Sequence, residues 1–340
     1  MITPASVRAM RGSSNANSAG IWPYIFVLPT FLVMGLITFY PIFFNVWMSF
    51  TNFQLANIRL ENPPEFIGLA NYIGILNNDI AVVKIADFSF WKHLFFNIWW
   101  AVSSVFTTLI AGILIAIVLN VEGLWFKKVY RVMFILPMVI PNLVVNTVWR
   151  NMFDPTSGAI NLALMAIGSV FGLPREMFEI NWLGSIEHPI GLLFPWQPMP
   201  VTYYAMLISN FWRGWPWVTV IATGALQSIP KELYEAASID GATGPQKLWS
   251  ITLPLLRPAM VPAAILSYNW TFNLLDIAYF LTGGQPFHET ELLVSILFRL
   301  VNEQRLYGVA ASFAVIVFIV STIMFLLTNR ITRATESYDS

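Results

Sequence analysis

Two ionisable side chains lie inside stretches of this sequence that otherwise carry no charge: Arg213 within 201–227 and Asp276 within 259–282. At a bilayer centre such a group costs roughly 2.5–3.5 kcal/mol, so it normally faces protein or a water-filled path, or pairs with an opposite charge. Counted at 1.5 Å per helical residue, Arg213 lies about 15 Å and Asp276 about 10 Å from the outer ends of their stretches. Both depths fall in the same half of a bilayer, which permits a pair facing the bundle interior. The competing reading is that both snorkel to the nearby interface. Around them stand Asn210, Trp212, Trp215, Trp217, Tyr268, Asn269, Trp270 and Asn273. Aromatic faces mixed with amides and a carboxylate suit stacking on, and hydrogen bonding to, a hydroxyl-rich solute. Tryptophan also gathers at membrane interfaces for its own reasons, and the chain has 14 of them. Asn210, Arg213, Trp215, Tyr268, Asn269, Asn273 and Asp276 are the candidate solute path.

Other chemistry finds no residues to carry it. With no cysteine there is no disulfide, thiolate-held metal or cysteine nucleophile. Neither H-E-x-x-H nor G-x-S-x-G occurs, and His93, His188 and His288 are isolated, so no metal site is expected. A phosphate-binding loop needs G-x-x-x-x-G-K-[ST]. The run from Gly241 through Gly244 to Lys247 has glycines and a lysine at the wrong spacing. No cofactor is therefore expected in this chain. A formal net charge of zero gives a nucleic-acid partner no electrostatic support.

The elements that must position these residues follow from composition. Of 340 residues, 57% are hydrophobic and only 11% charged, with mean hydropathy +0.65. Soluble domains carry roughly 25% charge, so this is an all-α membrane protein embedded in a lipid bilayer. A crossing needs about 20 mostly apolar residues. Six stretches qualify: 21–50, 94–120, 132–149, 201–227, 259–282 and 308–329. The shorter run 160–173 reads as an interfacial or loop helix, and the proline-rich 189–200 as a bend at the membrane surface. Residues 1–20 and 331–340 read as polar tails. The first apolar run is too long for a signal peptide. Six crossings put both tails and the loops 120–131 and 228–258 on one side. That side holds ten Lys/Arg against six Asp/Glu, and the other holds seven against eleven. Positive charge marks the cytoplasmic side, so both termini are expected in the cytoplasm.

The long internal loop 228–258 has local order of its own. Ser228 can N-cap a helix, Pro230 fits its first turn, and 231–239 are good helix formers. Gly241 supplies a stop. Thr243 with Gln246 reads as a capping box opening a second helix, which runs through Leu253, Pro254 and Pro258 into the fifth stretch. Pro254, Pro258 and Pro262 suggest a kinked entry. Asp240 sits at a helix C-terminus, where the macrodipole disfavours an acid, so a local cation or backbone partner is expected. Glu235 alone reads as a solvated helix-face charge.

The string from Glu232 through Glu235-Ala236-Ala237 to Asp240-Gly241, followed by Ile251 and Leu253-Pro254, resembles the "EAA" loop of bacterial ABC-importer permeases. The runs Arg131–Pro137, Trp149–Asn161, Asn273–Asp276, Leu281–Gly284 and Gly308–Ala311 resemble the binding-protein-dependent sugar permeases of the maltose type. The resemblance covers about 21–330, departing at Gln285, where that branch often has glycine, and before Asp276, where the usual Phe is missing. It implies that Glu232, Glu235, Ala236, Ala237, Asp240 and Gly241 form a coupling helix between the fourth and fifth crossings, docking on a separate ATPase subunit. Two such subunits would bind ATP and Mg. The resemblance further implies a second, related permease subunit, an extracytoplasmic sugar-binding protein, and an inner-membrane location. The alternatives are a permease of this type for a non-sugar solute, a self-contained secondary transporter, which would show inverted repeats, and a membrane enzyme, which lacks a catalytic constellation.

Overall fold

The computed structural model describes residues 22–59, 61–121, 123–185 and 199–332. The tail 1–20, His188, nearly all of the proline-rich 189–200 and most of 331–340 lie outside the described residues. Ten helices carry the architecture: α1 (Tyr24–Met48), α2 (Phe90–Asn120), α3 (Lys127–Val139), α4 (Asn142–Met152), α5 (Ala159–Val170), α6 (Val201–Gln227), α7 (Lys231–Ile239), α8 (Gly244–Phe272), α9 (Leu293–Asn302) and α10 (Tyr307–Thr332). Among the described residues there is no strand, only an isolated bridge between Thr51 and Phe66. The chain is all-helical, as its hydropathy requires: in lipid only a helix or a closed barrel satisfies every backbone polar group.

Four of these helices, α1, α2, α8 and the Tyr307–Arg330 part of α10, are long and apolar enough to cross a membrane, or five crossings if the bent pair α3–α4 counts as one. At 27 residues α6 has the length but not the apolarity, because it carries Asn210, Arg213 and the scattered Thr202, Ser209, Thr219 and Thr223. α1 presents apolar side chains almost entirely outward, which suits lipid.

The structure corrects several expectations. The stretch 132–149 is not one straight helix. α3 and α4 meet at 93°, with Ile140 extended (φ −73°, ψ 133°) ahead of Pro141. Proline disfavours helical backbone in the residue before it, so the bend falls there. The stretch 259–282 is also divided. α8 runs from Gly244 without interruption across Pro254, Pro258 and Pro262, and the expected kink takes the form of a widened π segment at Leu248–Thr252. It then stops at Phe272, and a second π segment, Ile277–Thr282, follows Asp276. Asp276 thus sits at a helix break rather than within a helix. Ser228 does not cap α7. It closes α6, its hydroxyl donating to the Ala225 carbonyl (2.8 Å), and Pro230 holds the N-cap position.

Packing centres on α2 and α6. At their crossing a Cβ on Gly112 would collide with Val218, and one on Gly214 with Thr108. Thr219 donates its hydroxyl to the Gly112 carbonyl (3.2 Å). Small residues that let backbones approach are how helices associate in lipid, where apolar burial supplies little drive. Ala116, Val218, Ala222 and Leu256 extend this contact toward α7, and Trp100, Phe153, Tyr203 and Met206 fill the other end.

Loops are organised by buried amides. Asn161 donates to the carbonyls of Pro155 and Ile180 and accepts from the Trp182 indole. In the turn between α4 and α5 the Asp154 carboxylate accepts from the N–H and hydroxyl of Ser157 and from the hydroxyl and N–H of Thr156, which lowers its pKa to about 2.

Candidate functional site

Arg213 and Asp276 meet. Arg213 Nη1 lies 2.6 Å from Asp276 Oδ2, with the two side chains 14% and 17% exposed. The pair does not stand alone. Arg213 Nη2 donates to Asn210 Oδ1 (3.1 Å), and Asn146 Nδ2 donates to Asp276 Oδ2 (3.1 Å). Asn146 and Asn210 are buried. The network joins α6, the residue after the α8 break, and α4 just past its bend, so two irregular points of the backbone meet a continuous helix at one carboxylate. Irregular backbone at membrane depth is tolerated where it is buried in protein or lines a cavity.

A cavity of about 260 Å³ opens beside the network, lined by Asn210, Arg213, Trp217, Ser267, Trp270 and Thr271 among others. Trp217 and Trp270 pack at 5.2 Å with rings tilted by 57°. The Trp217 indole N–H is buried without a partner among the described residues. Two indole faces, a hydroxyl pair, an amide and a neutralised arginine make a surface for a polar, uncharged solute.

The break that places Asp276 is made by a residue that sequence reasoning missed. Asn97 on α2 donates to the Phe272 carbonyl (3.0 Å) and accepts from the Leu293 N–H (2.8 Å). It satisfies the last carbonyl of α8 and the first N–H of α9, groups that a helix end leaves orphaned. Asn146 was missed too. The available signal was similar for both: an amide inside an apolar run, Asn97 near the start of 94–120 and Asn146 one helical turn after Asn142 in 132–149.

The other candidates separate. Asn269 and Asn273 bond to each other (3.0 Å) and line a different groove, of about 580 Å³, with Val317, Phe318 and Ser321 of α10. Trp215 packs edge-on against Phe134 at 5.2 Å. Tyr268 stacks on Phe272 at 5.9 Å and belongs to an apolar cluster with α10. The structure therefore brings together Asn210, Arg213 and Asp276, and not Trp215, Tyr268, Asn269 or Asn273.

The loop 228–258 forms a stiff external element. α7 ends in a Schellman turn: Gly241 adopts φ +75°, and the Ala242 N–H reaches back to the Ala237 carbonyl (2.8 Å). Gly241 is needed there because other residues are strained at positive φ. Thr243 and Gln246 form the expected capping box. Tyr234 Oη is 3.0 Å from Thr252 Oγ1, and Lys247 Nζ donates to Ser238 Oγ (2.5 Å), so α7 is pinned to α8 twice. Glu232, Glu235, Ala236, Asp240 and Gly241 are exposed and Ala237 is half-buried. Ile239 (87%) and Trp249 (70%) are exposed beside them. The Asp240 carboxylate has no partner among the described residues, contrary to expectation. Asp240 is exposed, and the effect of a helix terminus on a charge is weak at a solvent-facing position.

At the opposite end, His93 and His288 are not isolated. His93 Nε2 lies 3.1 Å from the His288 carbonyl, and His288 Nδ1 lies 2.8 Å from Arg299 Nη1. Arg299 also reaches the buried Glu291 (2.7 Å) and Glu303 (2.9 Å). Burial alone would lower the Arg299 pKa, but the two carboxylates more than offset it and hold the pKa above its ordinary value.

Residues 108–337 match the model of a family described as binding-protein-dependent transport system inner membrane component. The chain is 29% identical over 313 residues to the galactooligosaccharides transport system permease protein GanP of Bacillus subtilis (strain 168), covering 88% of this chain and 68%, about two-thirds, of that one. It is 28% identical over 313 residues to the trehalose/maltose transport system permease protein MalF of Thermococcus litoralis, covering 91% and 94%. In fold it is similar to a bacterial ABC transporter involved in the import of the acidic polysaccharide alginate, with TM-score 0.72, 19% identity and coverage of 93% and 97%.

Proposed function

The chain belongs to the family of binding-protein-dependent transport system inner membrane components, and on that premise we propose that it is the membrane-spanning permease subunit of an ATP-driven sugar importer. Sugar would be delivered from outside by a soluble binding protein, and ATP hydrolysed by two separate subunits that bind ATP and Mg. A second, related permease would complete the pathway. The observation that carries this reading is the pinned helix pair α7–α8, which exposes the Glu235-Ala236-Ala237 to Gly241 run on a chain without a phosphate-binding loop.

The topology that fits has six crossings: α1, α2, the bent α3–α4 pair, α6, α8 and α10, with both termini and α7 in the cytoplasm. Lysine and arginine favour that side by ten to six over acids. Glu232, Glu235, Ala236, Ala237, Asp240 and Gly241 would contact the ATPase. Its closure would push α7 and switch the pathway from inward-open to outward-open. The solute path follows the cavity beside Arg213 and Asp276, where Trp217 and Trp270 offer stacking faces. Relatives named for galactooligosaccharide and trehalose/maltose transport support a neutral saccharide as cargo.

The test is ATP hydrolysis by the purified complex in lipid, with and without sugar-loaded binding protein, for wild type and Glu235→Ala. Stimulation in wild type and its loss in the variant is the expected result. A chain that purifies alone and transports without ATP would sink the reading.

A further inference from the structure

The two segments 51–92 and 283–307 hold five basic residues: Arg59, Lys84, Lys92, Arg299 and Arg305. Two of them are spoken for. Lys92 pairs with Glu289 (3.1 Å), and Arg299 pairs with Glu291 and Glu303. Arg59, Lys84 and Arg305 have no carboxylate within ion-pair distance among the described residues, and all three line one cleft of about 970 Å³. Glu61 is its one acid, so the lining carries a net charge of about +2 on a face whose loops are otherwise acidic, seven Lys/Arg against eleven Asp/Glu.

The backbone supports the same grouping. Lys84 (φ +54°) and Arg305 (φ +56°) both occupy the left-handed region. Lys84 caps the helix Ile80–Val83, and Arg305 lies three residues beyond α9, in backbone where glycine or asparagine is the low-strain choice. Both line the same cleft and give it a basic rim suited to an anion on a partner. The floor includes Leu55 and Ile58, each more than half exposed. A cleft with an apolar floor and a basic rim matches a protein surface better than a lone phosphate, which would leave most of 970 Å³ empty.

We propose that this cleft docks an acidic segment of the extracytoplasmic binding protein. The proposal rests on the reading of the chain as a binding-protein-dependent permease with 51–92 and 283–307 outside. Charge complementarity of this kind acts mainly on the encounter rate and is screened by salt.

The experiment measures ATP hydrolysis by the full complex in neutral phosphatidylcholine nanodiscs against the concentration of sugar-loaded binding protein. It compares wild type with Arg59→Glu/Lys84→Glu/Arg305→Glu. These side chains are exposed, so the fold is undisturbed. The expected result at low salt is a half-stimulating concentration raised about tenfold at unchanged maximal rate, with the difference shrinking at about 0.3 M salt. An unchanged half-stimulating concentration, or a lower maximal rate with no shift, overturns the proposal. So does a shift seen only after anionic lipid is added, which would make the cleft a lipid-headgroup site. If the wild-type complex is not stimulated at all, the importer reading itself fails and takes the docking proposal with it.

Discussion

The exposed α7 element and the part-buried Arg213 network are both built from charged and polar groups, yet they are held in opposite ways. Four features shape α7 from within the loop, none reaching more than 18 residues along the chain: the Gly241 turn, the Thr243–Gln246 box, and the Tyr234–Thr252 and Lys247–Ser238 bonds. The network joins residues 63 and 130 positions apart. A locally held element keeps its shape when pushed and can be altered one side chain at a time. A network assembled from distant segments holds the bundle together, and loses that hold when one member is removed.

Breaking the network should therefore give the largest effect. Arg213→Gln leaves Asp276 with only Asn146 to hold it. Stranding one partner of a fully buried pair costs about 3–5 kcal/mol, and a smaller loss is expected here, where the side chains are 14% and 17% exposed. A lower thermal midpoint and poor recovery from detergent are expected. Arg213→Gln/Asp276→Asn, which strands no charge, should unfold nearer wild type than either single variant. A double variant no better than the singles would mean that Asn146 and Asn210, not charge, dominate.

Next comes Gly241→Ala, which forces a side chain into left-handed backbone at about 1 kcal/mol. Faster amide exchange confined to 236–243, with the global midpoint unmoved, would fit a locally held element. Glu235→Ala should sit lower still in stability, within about 0.5 kcal/mol of wild type as for other exposed sites, while abolishing stimulated hydrolysis. A large drop in its thermal midpoint would show that α7 is part of the core after all.

The smallest expected effect is on the α4–α5 turn. Because the Asp154 pKa falls from 3.8 to about 2 on folding, its contribution is fully present above pH 3.8 and fades as pH drops through about 2. Protection of the Thr156 and Ser157 amides should follow that window. Constant protection down to pH 2 would assign the turn to other contacts.

The same contrast explains what was legible beforehand. The helical class, the low-charge stretches, the Gly241 stop and the Thr243 box are written in neighbouring residues. The α8 break was not legible, because Phe272-Asn273-Leu274-Leu275 contains neither proline nor glycine. It is imposed by Asn97, whose two bonds span 175 and 196 positions. The bend at 140 was signalled by Pro141 but overridden by hydropathy in the reading of 132–149 as one stretch. Ser228 could serve as the cap of one helix or the close of another, and the packing of α6 decided it. Among the solute-path candidates, helical spacing showed depth but not facing, so Asn269 and Asn273 were grouped with residues they turn away from.

α8 is one unbroken rod of 29 residues, about 43 Å long at 1.5 Å per residue. One tip carries the α7 turn and the other ends beside Asp276. A rod converts a small tilt at one tip into a larger sweep at the other: about 5° about its base moves the far tip by about 4 Å, more than the 2.6 Å that separates Arg213 from Asp276. The ion pair thus lies near the tip that would travel furthest if α8 were tilted from its α7 end.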